Sequence, residues 1–356
     1  MAREIHIIYL TGNIMLVEIL KRLFISNKSL LQSNEKSTMS NFKVSSLIYN
    51  KNSKAIVVPV AAFLVFLAIW QISASSIITS LGQVPGPAQV FTQASVLVDE
   101  HIKDREKAEK FYIRQEERNA KKLEKNTDAK VKIRPYTGNP TFIDQIGTSL
   151  ITVLTGFFIA SLIAIPIGIV GGLSSTAHKA MNPLIQVLKP VSPLAWLPIV
   201  TIIVSAVYTS DNPMFTKSFV TSAITVTLCC IWPTIINTTL GVSSVDKDLM
   251  NVSRVLRLNW TTNIIKIVLP SSIPMIFAGL RLSLGIGWMV LIAAEMLAQN
   301  PGLGKFVWDE FQNGSSNSLA RIMVAVFVIG FIGFLLDQVM LKLQRKVTWD
   351  KTSEIR

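Results

Sequence analysis

Few residues in this 356-residue chain have both the type and the spacing that chemistry requires. The stretch GLGK at 302–305 has two glycines and the lysine of a phosphate-binding loop, but Gln299 stands where that loop needs its first glycine, and Phe306 follows the lysine. The sequence shows no His and Cys cluster with metal-ligand spacing and no nucleophile beside a base. It therefore predicts no ATP site, no cofactor, no metal and no enzymatic activity.

A second group of polar residues lies within the apolar stretch 273–297. Arg281, Gly285, Trp288, Ile292 and Glu295 recur at helical intervals and form one stripe that rises about 21 Å. Charged side chains in such a helix rarely face lipid, so the stripe is predicted to face the bundle interior or a second copy. Trp288 either lines a passage or packs, Arg281 is expected to anchor the helix boundary, and Glu295 serves either structural pairing or gating.

The elements that position these residues are predicted to be membrane helices. Half of the residues are hydrophobic and only 16% are charged, against about a quarter charged in soluble domains, so lipid must cover part of the surface. Crossing a bilayer core takes about 20 helical residues. The predicted fold is all-α and polytopic, with about six spans: 55–77, 146–173, a third that starts near Pro183, 219–240, 273–297 and 322–343.

Two of these spans have distinctive patterns. The second carries small residues at every fourth position, which predicts a ridge that another helix can approach closely: Gly156, Ala160, Ala164, Gly168 and Gly172. The third contains Pro190, Pro193 and Pro198, which predict a broken helix. Trp196 in this span and Asn237 at the end of the fourth are further candidates for lining a passage, and kinking for packing alone stays open.

The segments outside the spans differ in charge. Residues 1–54 form an N-terminal extension, of which 1–38 do not resemble part of the fold, and Met39 is an alternative start. The loop 78–145 contains a densely charged insertion, 99–134, predicted to be an exposed helix with a disordered tail near 126–134. A solvated insertion is favoured over a docking surface. Residues 348–356 form a C-terminal tail.

The segment 241–270 interrupts the spans with charged, amphipathic sequence. Leu249, Val252 and Leu256 recur at helical spacing, with Arg254 and Arg257 beside them, which predicts an amphipathic helix in this segment. A partner protein could grip such a helix to move the spans, whereas an ordinary connection would be short and polar. A helix lying on the lipid surface shows the same pattern and remains an alternative.

The distribution of basic residues predicts the orientation. Lys and Arg concentrate before the first span, around His178-Lys179, between Lys247 and Lys266 and after the last span, so these regions and both termini are predicted to be cytoplasmic. Orientation and anionic lipid headgroups account for the net charge of +13, so nucleic-acid binding is not predicted.

At this point the sequence resembles the permease subunits of bacterial ABC importers of the nitrate, sulfonate and taurine type. Their cytoplasmic motif has a Glu-Ala-Ala triplet, a glycine, an isoleucine and a closing Leu-Pro. Here Asn251, Val252 and Ser253 occupy the triplet, Arg257 takes the glycine place, Ile267 matches and Leu269-Pro270 closes the motif. The stretches at 187–199, 231–238, 277–297 and 300–309 also resemble this branch, and the resemblance covers 55–347, with the permease core at 146–347.

The resemblance implies the type I ABC importer permease fold in the bacterial inner membrane. It implies a second permease copy, two ATPase subunits that hold a coupling helix at 246–259, and an external binding protein that delivers a small anion such as nitrate, a sulfonate or taurine. The residues that it assigns to ATPase coupling are Leu249, Asn251, Val252, Ser253, Arg254, Leu256, Arg257, Leu269 and Pro270.

Two other readings stay open at this stage. A secondary transporter driven by an ion gradient should have acidic or amide groups at mid-membrane and two related halves. Neither is evident, because Glu295 and Asp337 are the acidic residues of the last spans and both are near span ends. A membrane scaffold would leave the segment 241–270 without an ATPase to bind.

Overall fold

The computed structural model describes residues 51–79, 82–125, 131, 133–209 and 214–347. The predictions for residues 1–38, for a start at Met39 and for the tail 348–356 lie outside these residues. Contacts divide the chain between Ala68 and Ile69, and residues 51–68 are the described part of the first unit.

The described residues are almost entirely helical. The helices are α1 Lys51–Ser76, α2 Pro87–Lys125, α3 Phe142–Leu173, α4 Ser175–Leu188, α5 Pro193–Val207, α6 Lys217–Ser243, α7 Lys247–Val255, α8 Trp260–Asn263, α9 Leu269–Ala298, α10 Leu303–Asn313 and α11 Ser318–Val347. A π-helical segment, Ile264–Val268, joins α8 to α9. Two short strands, β1 Ile78–Thr79 and β2 Gly82–Gln83, pair antiparallel.

The predicted all-α membrane fold is confirmed. Among the described residues, five helical stretches are long and apolar enough to cross a membrane: 57–74, 142–173, 217–243, 260–298 and 318–347. Helices α4 and α5 pass the same test only together, and they are bent by 98°. The predicted break at the prolines is therefore confirmed. Pro190 has no N–H to continue α4, and Ser192 caps α5 by accepting a hydrogen bond from the Leu194 N–H at 3.3 Å.

The small-residue ridge of α3 packs against α6, as predicted. A Cβ added to Gly156 would lie 2.7 Å from the carbonyl oxygen of Ala223. The hydroxyl of Thr227 donates to the carbonyl oxygen of Gly156 at 3.0 Å, and that of Thr239 donates to Gly168 at 3.2 Å. Both bonds join residues that are 71 positions apart, so the two helices run parallel.

Because α3 and α6 run parallel, the chain between them, which includes the bent α4–α5 pair, must return across the bundle. Helix α9 runs antiparallel to α6, since Cys230 meets Ser283 while Gly241 meets Met275. Helix α11 in turn runs antiparallel to α9, since Arg281 pairs with Asp337 and Trp288 with Ile329. The two ends of the bundle are named here after the helices that lie there: the α7 end and the α10 end. Helices α3 and α6 can both run toward the α7 end only if residues 175–216 return the chain to the α10 end.

The charged insertion lies in the helix α2, which begins earlier than predicted. Ion pairs hold α2 to the α10 end of the bundle. The guanidinium group of Arg321 donates to both carboxylate oxygens of Glu100 at 3.1 and 2.8 Å, and Arg105 pairs with Asp144 at 2.8 Å. Leu97, which precedes the charged stretch, is 1% exposed. The insertion therefore lies at the end of the bundle opposite α7.

The chain after α2 returns along the helix. Residues 126–130 and 132, most of the predicted disordered tail, lie outside the described residues. Arg134 is held at both backbone groups by the side chain of Gln115, at 2.9 and 3.3 Å. The Tyr136 hydroxyl donates to Asp104 at 3.0 Å, and this hydrogen bond raises the pKa of the Tyr136 phenol above its usual value.

Candidate functional site

Helix α7 is shorter than the predicted 246–259 and has clear limits. The carboxylate of Asp246 caps it by accepting a hydrogen bond from the Asp248 N–H at 2.9 Å. Asp248 lies in the first turn and Arg254 in the last, so both charges interact favourably with the helix dipole. These features stabilise a nine-residue helix that has little packing of its own.

The apolar side chains of this region face outward. The predicted contact residues Leu249, Val252 and Leu256 are 43, 50 and 62% exposed. Val255 is 81% exposed, and Trp260 and Ile265 are also exposed, although the sequence analysis did not single them out. Of the assigned coupling residues in α7, Ser253 is buried. A small charged segment with this many exposed apolar side chains is typical of a protein or membrane contact surface.

The end of α7 is a Schellman motif. The Leu258 N–H donates to the carbonyl oxygen of Ser253 at 3.1 Å, and the Arg257 N–H donates to that of Arg254 at 3.1 Å. Arg257 has φ 51°, in the left-handed region. Glycine usually occupies this position because it has no Cβ to clash there. The geometry therefore explains why the importer motif has a glycine where this chain has Arg257.

The connection to the spans passes through the π-helical segment. Asn259 caps α8 by accepting from the Thr262 N–H at 2.9 Å, and Val268 is fully buried at the end of the segment. Leu269 begins α9, and Pro270 has no N–H to donate in its first turn. The closing Leu-Pro of the motif thus marks the point where the α7 region becomes a membrane helix.

The residues of the stripe predicted in span five do not share one environment: some pack against α11 and one faces open space. Trp288 is 5% exposed, and its Nε1–H donates to the carbonyl oxygen of Ile329 at 2.9 Å, so it packs against α11. Arg281 is bound to both carboxylate oxygens of Asp337, on α11 as well. Gly285, by contrast, faces open space. The structure therefore separates the stripe into a packed part and an open part, and the lining role of these residues stays a prediction.

Glu295 lies at the α10 end in a buried polar cluster. It is 0% exposed, and both carboxylate oxygens accept from the Ser149 hydroxyl, at 2.9 and 2.8 Å. The Gly304 N–H donates to it at 3.0 Å, and the Leu303 N–H donates to Ser149 at 2.9 Å. The carboxylate thus joins α3 to the first turn of α10. Gly302 and Gly304 are required because a Cβ at Gly302 would overlap the Glu295 carboxylate and one at Gly304 would overlap the carbonyl oxygen of Ile292.

Trp196 and Asn237 lie away from this cluster, nearer the α7 end. Asn237 is half-buried; its Nδ2 donates to the carbonyl oxygen of Pro233 at 2.8 Å, and its side chain covers Gly279 of α9. Trp196 is half-buried in the first turn of α5. Asn237 thus meets α9 at Gly279, two residues before Arg281, and the lining role of both residues likewise stays a prediction.

We expect the pair Arg281–Asp337 to couple α9 to α11. The two side chains are 41 and 36% exposed, so the expected coupling energy is modest, about 1 kcal/mol. A double-mutant cycle with Arg281→Met and Asp337→Leu, read out as thermal stability in detergent, measures it. Additive effects of the two substitutions would show that the pair does not hold these helices.

Comparisons with known proteins agree with this architecture. The family model described as binding-protein-dependent transport system inner membrane component matches residues 164–349. The chain is 32% identical over 320 residues to a nitrate import permease of Synechococcus elongatus, covering 87% of this chain and 96% of the relative. It is 33% identical over 295 residues to a bicarbonate transport system permease of the same species, covering 82 and 88%.

A solved structure supports the fold. A chain of the MetNI methionine ABC transporter, in an inward-facing conformation, superimposes with a TM-score of 0.52, covering 58% of this chain and 95% of the other. The two sequences are 11% identical, so the likeness concerns the fold alone. The identity and coverage of the two relatives, together with the match to the family model, confirm the resemblance of the sequence to these permeases. The chain is a membrane permease that belongs to the family of binding-protein-dependent transport system inner membrane components.

Proposed function

We propose that this chain is the membrane-spanning subunit of an ATP-driven importer, and that α7 is the element through which a separate ATPase moves it. The observation that carries the proposal is the α7 surface: an end-capped helix that exposes Leu249, Val252, Val255 and Leu256 between two membrane helices. The chain itself would not hydrolyse ATP. Two ATPase subunits and two permease copies would form the complete unit.

The packing around α7 supports a mechanical role. Along the chain, α7 lies between α6 and α9. These two helices are joined by reciprocal hydrogen bonds: the thiol of Cys230 donates to the carbonyl oxygen of Ser283, and the hydroxyl of Ser283 donates to the carbonyl oxygen of Cys230. Gly279 and Gly241 let the same helices approach closely. A force applied to α7 would therefore move α6 and α9 together.

The charge distribution supports a cytoplasmic position for the α7 end. Lys247, Arg254, Arg257 and Lys266 lie at this end, as do Arg345 and Lys346 in the last turn of α11. Under the positive-inside rule the α7 end faces the cytoplasm, and the α10 end with the α2 insertion faces outward. Both termini would then be cytoplasmic.

The transported solute is proposed to be a small anion such as nitrate, bicarbonate or a sulfonate, delivered by an extracytoplasmic binding protein. The names of the two cyanobacterial relatives support this class. Arg281, the cation of the candidate stripe, is already paired with Asp337 and is not free to hold an anion tightly. A passage without a strong anion site fits an importer in which the binding protein selects the solute.

The second copy is proposed to meet the open face of α9. Leu282 and Met289 are 53 and 69% exposed, and a Cβ added to Gly285 between them would meet no other described residue within 4 Å. These three residues follow one another at helical spacing, so a second helix could approach closely along them. The same face could also border the passage between the two copies.

The proposed function predicts that Leu256→Asp will reduce binding of the ATPase at least tenfold and abolish ATP-dependent uptake. A charge placed in a buried apolar contact costs well over the 1.4 kcal/mol that corresponds to a factor of ten. Co-purification of the ATPase and uptake into vesicles that contain ATP and the binding protein measure the two effects.

Ile113→Asp is the matched control for this experiment. Ile113 is 47% exposed on α2, at the opposite end of the bundle, so the same change of side chain should leave ATPase binding intact. If Leu256→Asp binds the ATPase and supports uptake as well as the unchanged permease does, α7 is not the coupling element.

A further inference from the structure

We propose that Arg257 determines which ATPase this permease accepts, by pairing with an acidic group at the rim of the ATPase cleft that holds α7. The inference rests on the proposed function and deepens it. The importer motif has glycine at this position, so the inference gives a role to an arginine that the motif lacks. The partner that it requires is an ATPase with an acidic rim around an apolar cleft.

The backbone at Arg257 is the first observation. With φ 51°, it is one of two non-glycine residues in the left-handed region within the described residues, the other being Gln299. A side chain at the left-handed end of a Schellman motif is strained relative to glycine. Such strain is tolerated where the side chain has a use, and it is found most often at functional sites.

The second observation is that the positive charges around α7 lack partners. Within the described residues no ion pair involves Lys247, Arg254, Arg257 or Lys266, and all four are exposed. In the described part of the chain, the hydrogen bond that the Arg254 side chain makes is to the amide oxygen of Asn251, at 3.4 Å. Asn251 stands where the importer motif has glutamate, so the acid that would offset this charge is missing.

The third observation is where the Arg257 side chain lies. It is exposed directly after Leu256, whose side chain is 62% exposed, so a charged position borders the apolar contact surface. At protein interfaces, charges at the rim of an apolar contact control which partner binds and how fast. Anionic lipid would attract any exposed Lys or Arg nearby and would gain nothing from one cation fixed at a strained backbone position.

The test compares Arg257→Gly with Gln299→Gly. Both substitutions relieve left-handed strain, so both should raise the apparent Tm of the purified permease by about 2 °C. Only Arg257→Gly should weaken ATPase binding, by about tenfold at low salt, and Arg257→Lys should retain part of the affinity. Binding is measured with the permease in lipid nanodiscs and the ATPase in solution, over a series of salt concentrations.

The salt series should separate the variants. Binding by the unchanged permease should weaken more steeply with salt than binding by Arg257→Gly, because the variant lacks the screened ion pair. Equal affinity of both proteins at low salt overturns the inference. So does a loss that appears only in nanodiscs of anionic lipid and disappears in zwitterionic lipid, because the partner would then be the membrane.

These outcomes are distinct from failure of the proposed function. If the unchanged permease binds no ATPase, or if Leu256→Asp binds it normally, the coupling role of α7 fails. If the unchanged permease binds the ATPase and Arg257→Gly binds it equally well, only the role of Arg257 fails.

Discussion

Gly156→Ala should lower the thermal stability of the permease by about 2–3 kcal/mol, even though it adds a single methyl group. The added Cβ would lie 2.7 Å from the carbonyl oxygen of Ala223 and 2.9 Å from the Cβ of Val226. Neither atom can turn away, because one is backbone and the other is the branch point of a fully buried side chain. Helices α3 and α6 would have to separate.

The separation would also weaken the hydrogen bond that crosses the contact. The hydroxyl of Thr227 donates to the Gly156 carbonyl oxygen at 3.0 Å and to Ala223 of its own helix at 2.8 Å. If α3 moves outward, the interhelical bond lengthens first, while the intrahelical bond remains. The measurement is thermal unfolding in detergent, followed by the fraction that elutes as a single species.

Gly147→Ala provides the control within the same helix. A Cβ at Gly147 meets no atom within 4 Å, so alanine there should be neutral or should stabilise the helix by up to about 1 kcal/mol. The two substitutions are chemically identical and differ only in what faces the glycine. Equal effects at Gly147 and Gly156 would show that α3 and α6 do not pack as described.

The small-residue ridge illustrates what could be predicted from the sequence. Its period of four positions predicted a close helix contact without any knowledge of the partner. The partner itself could not be predicted, because four-residue spacing on α3 says nothing about α6. The parallel pairing depends on Thr227 and Thr239, each 71 residues away from its acceptor. The return of the chain across the bundle between α3 and α6 follows only from that pairing.

Arg257 shows a different limit. The comparison with the importer motif marked Arg257 as a departure, and the structure supplies the reason that the motif has glycine there. From the sequence alone, Arg257 is only a residue that differs from the glycine of the motif. The left-handed φ of Arg257 shows that the backbone is strained at this departure. The sequence alone could not show this strain, because φ at this position is set by how the chain leaves α7.

The insertion shows how tertiary contacts extend a local prediction. Mixed charges over 99–134 predicted an exposed helix, and that part holds. The helix nevertheless starts at Pro87, because Val90 and Leu97 are buried against the bundle and add a packed segment before the charged one. The pairing of Glu100 with Arg321 joins residues 221 positions apart, which no local pattern could have indicated.

Glu295 is the residue for which sequence alone left two roles open, and its contacts lead to the largest predicted effect at the α10 end. Glu295→Ala should destabilise the permease by about 2–4 kcal/mol. The carboxylate is fully buried and accepts from Ser149 and from the Gly304 N–H. Removing it leaves two buried donors without an acceptor, each costing about 1–3 kcal/mol, less what local rearrangement recovers.

The effect should concentrate at the start of α10. The Gly304 N–H loses its acceptor directly, and the Leu303 N–H depends on Ser149, whose orientation is set by Glu295. We therefore expect amide hydrogen exchange to quicken at least tenfold in peptides that contain Leu303 and Gly304, since 1.4 kcal/mol of local stability corresponds to that factor. Peptides from the part of α6 that lies at the α7 end of the bundle, such as those that contain Thr239, should change much less.

Lys305→Ala is the matched control, because it removes a polar contact of the same helix that is exposed instead of buried. Lys305 and Asp309 are 27 and 41% exposed, and such pairs contribute at most about 1 kcal/mol. Glu295→Ala should therefore lower the thermal stability more than Lys305→Ala does. It should also increase the rate of amide exchange at Leu303 more. If Glu295→Ala leaves the exchange at Leu303 and Gly304 unchanged, the carboxylate does not hold α10, and structural pairing cannot be its role.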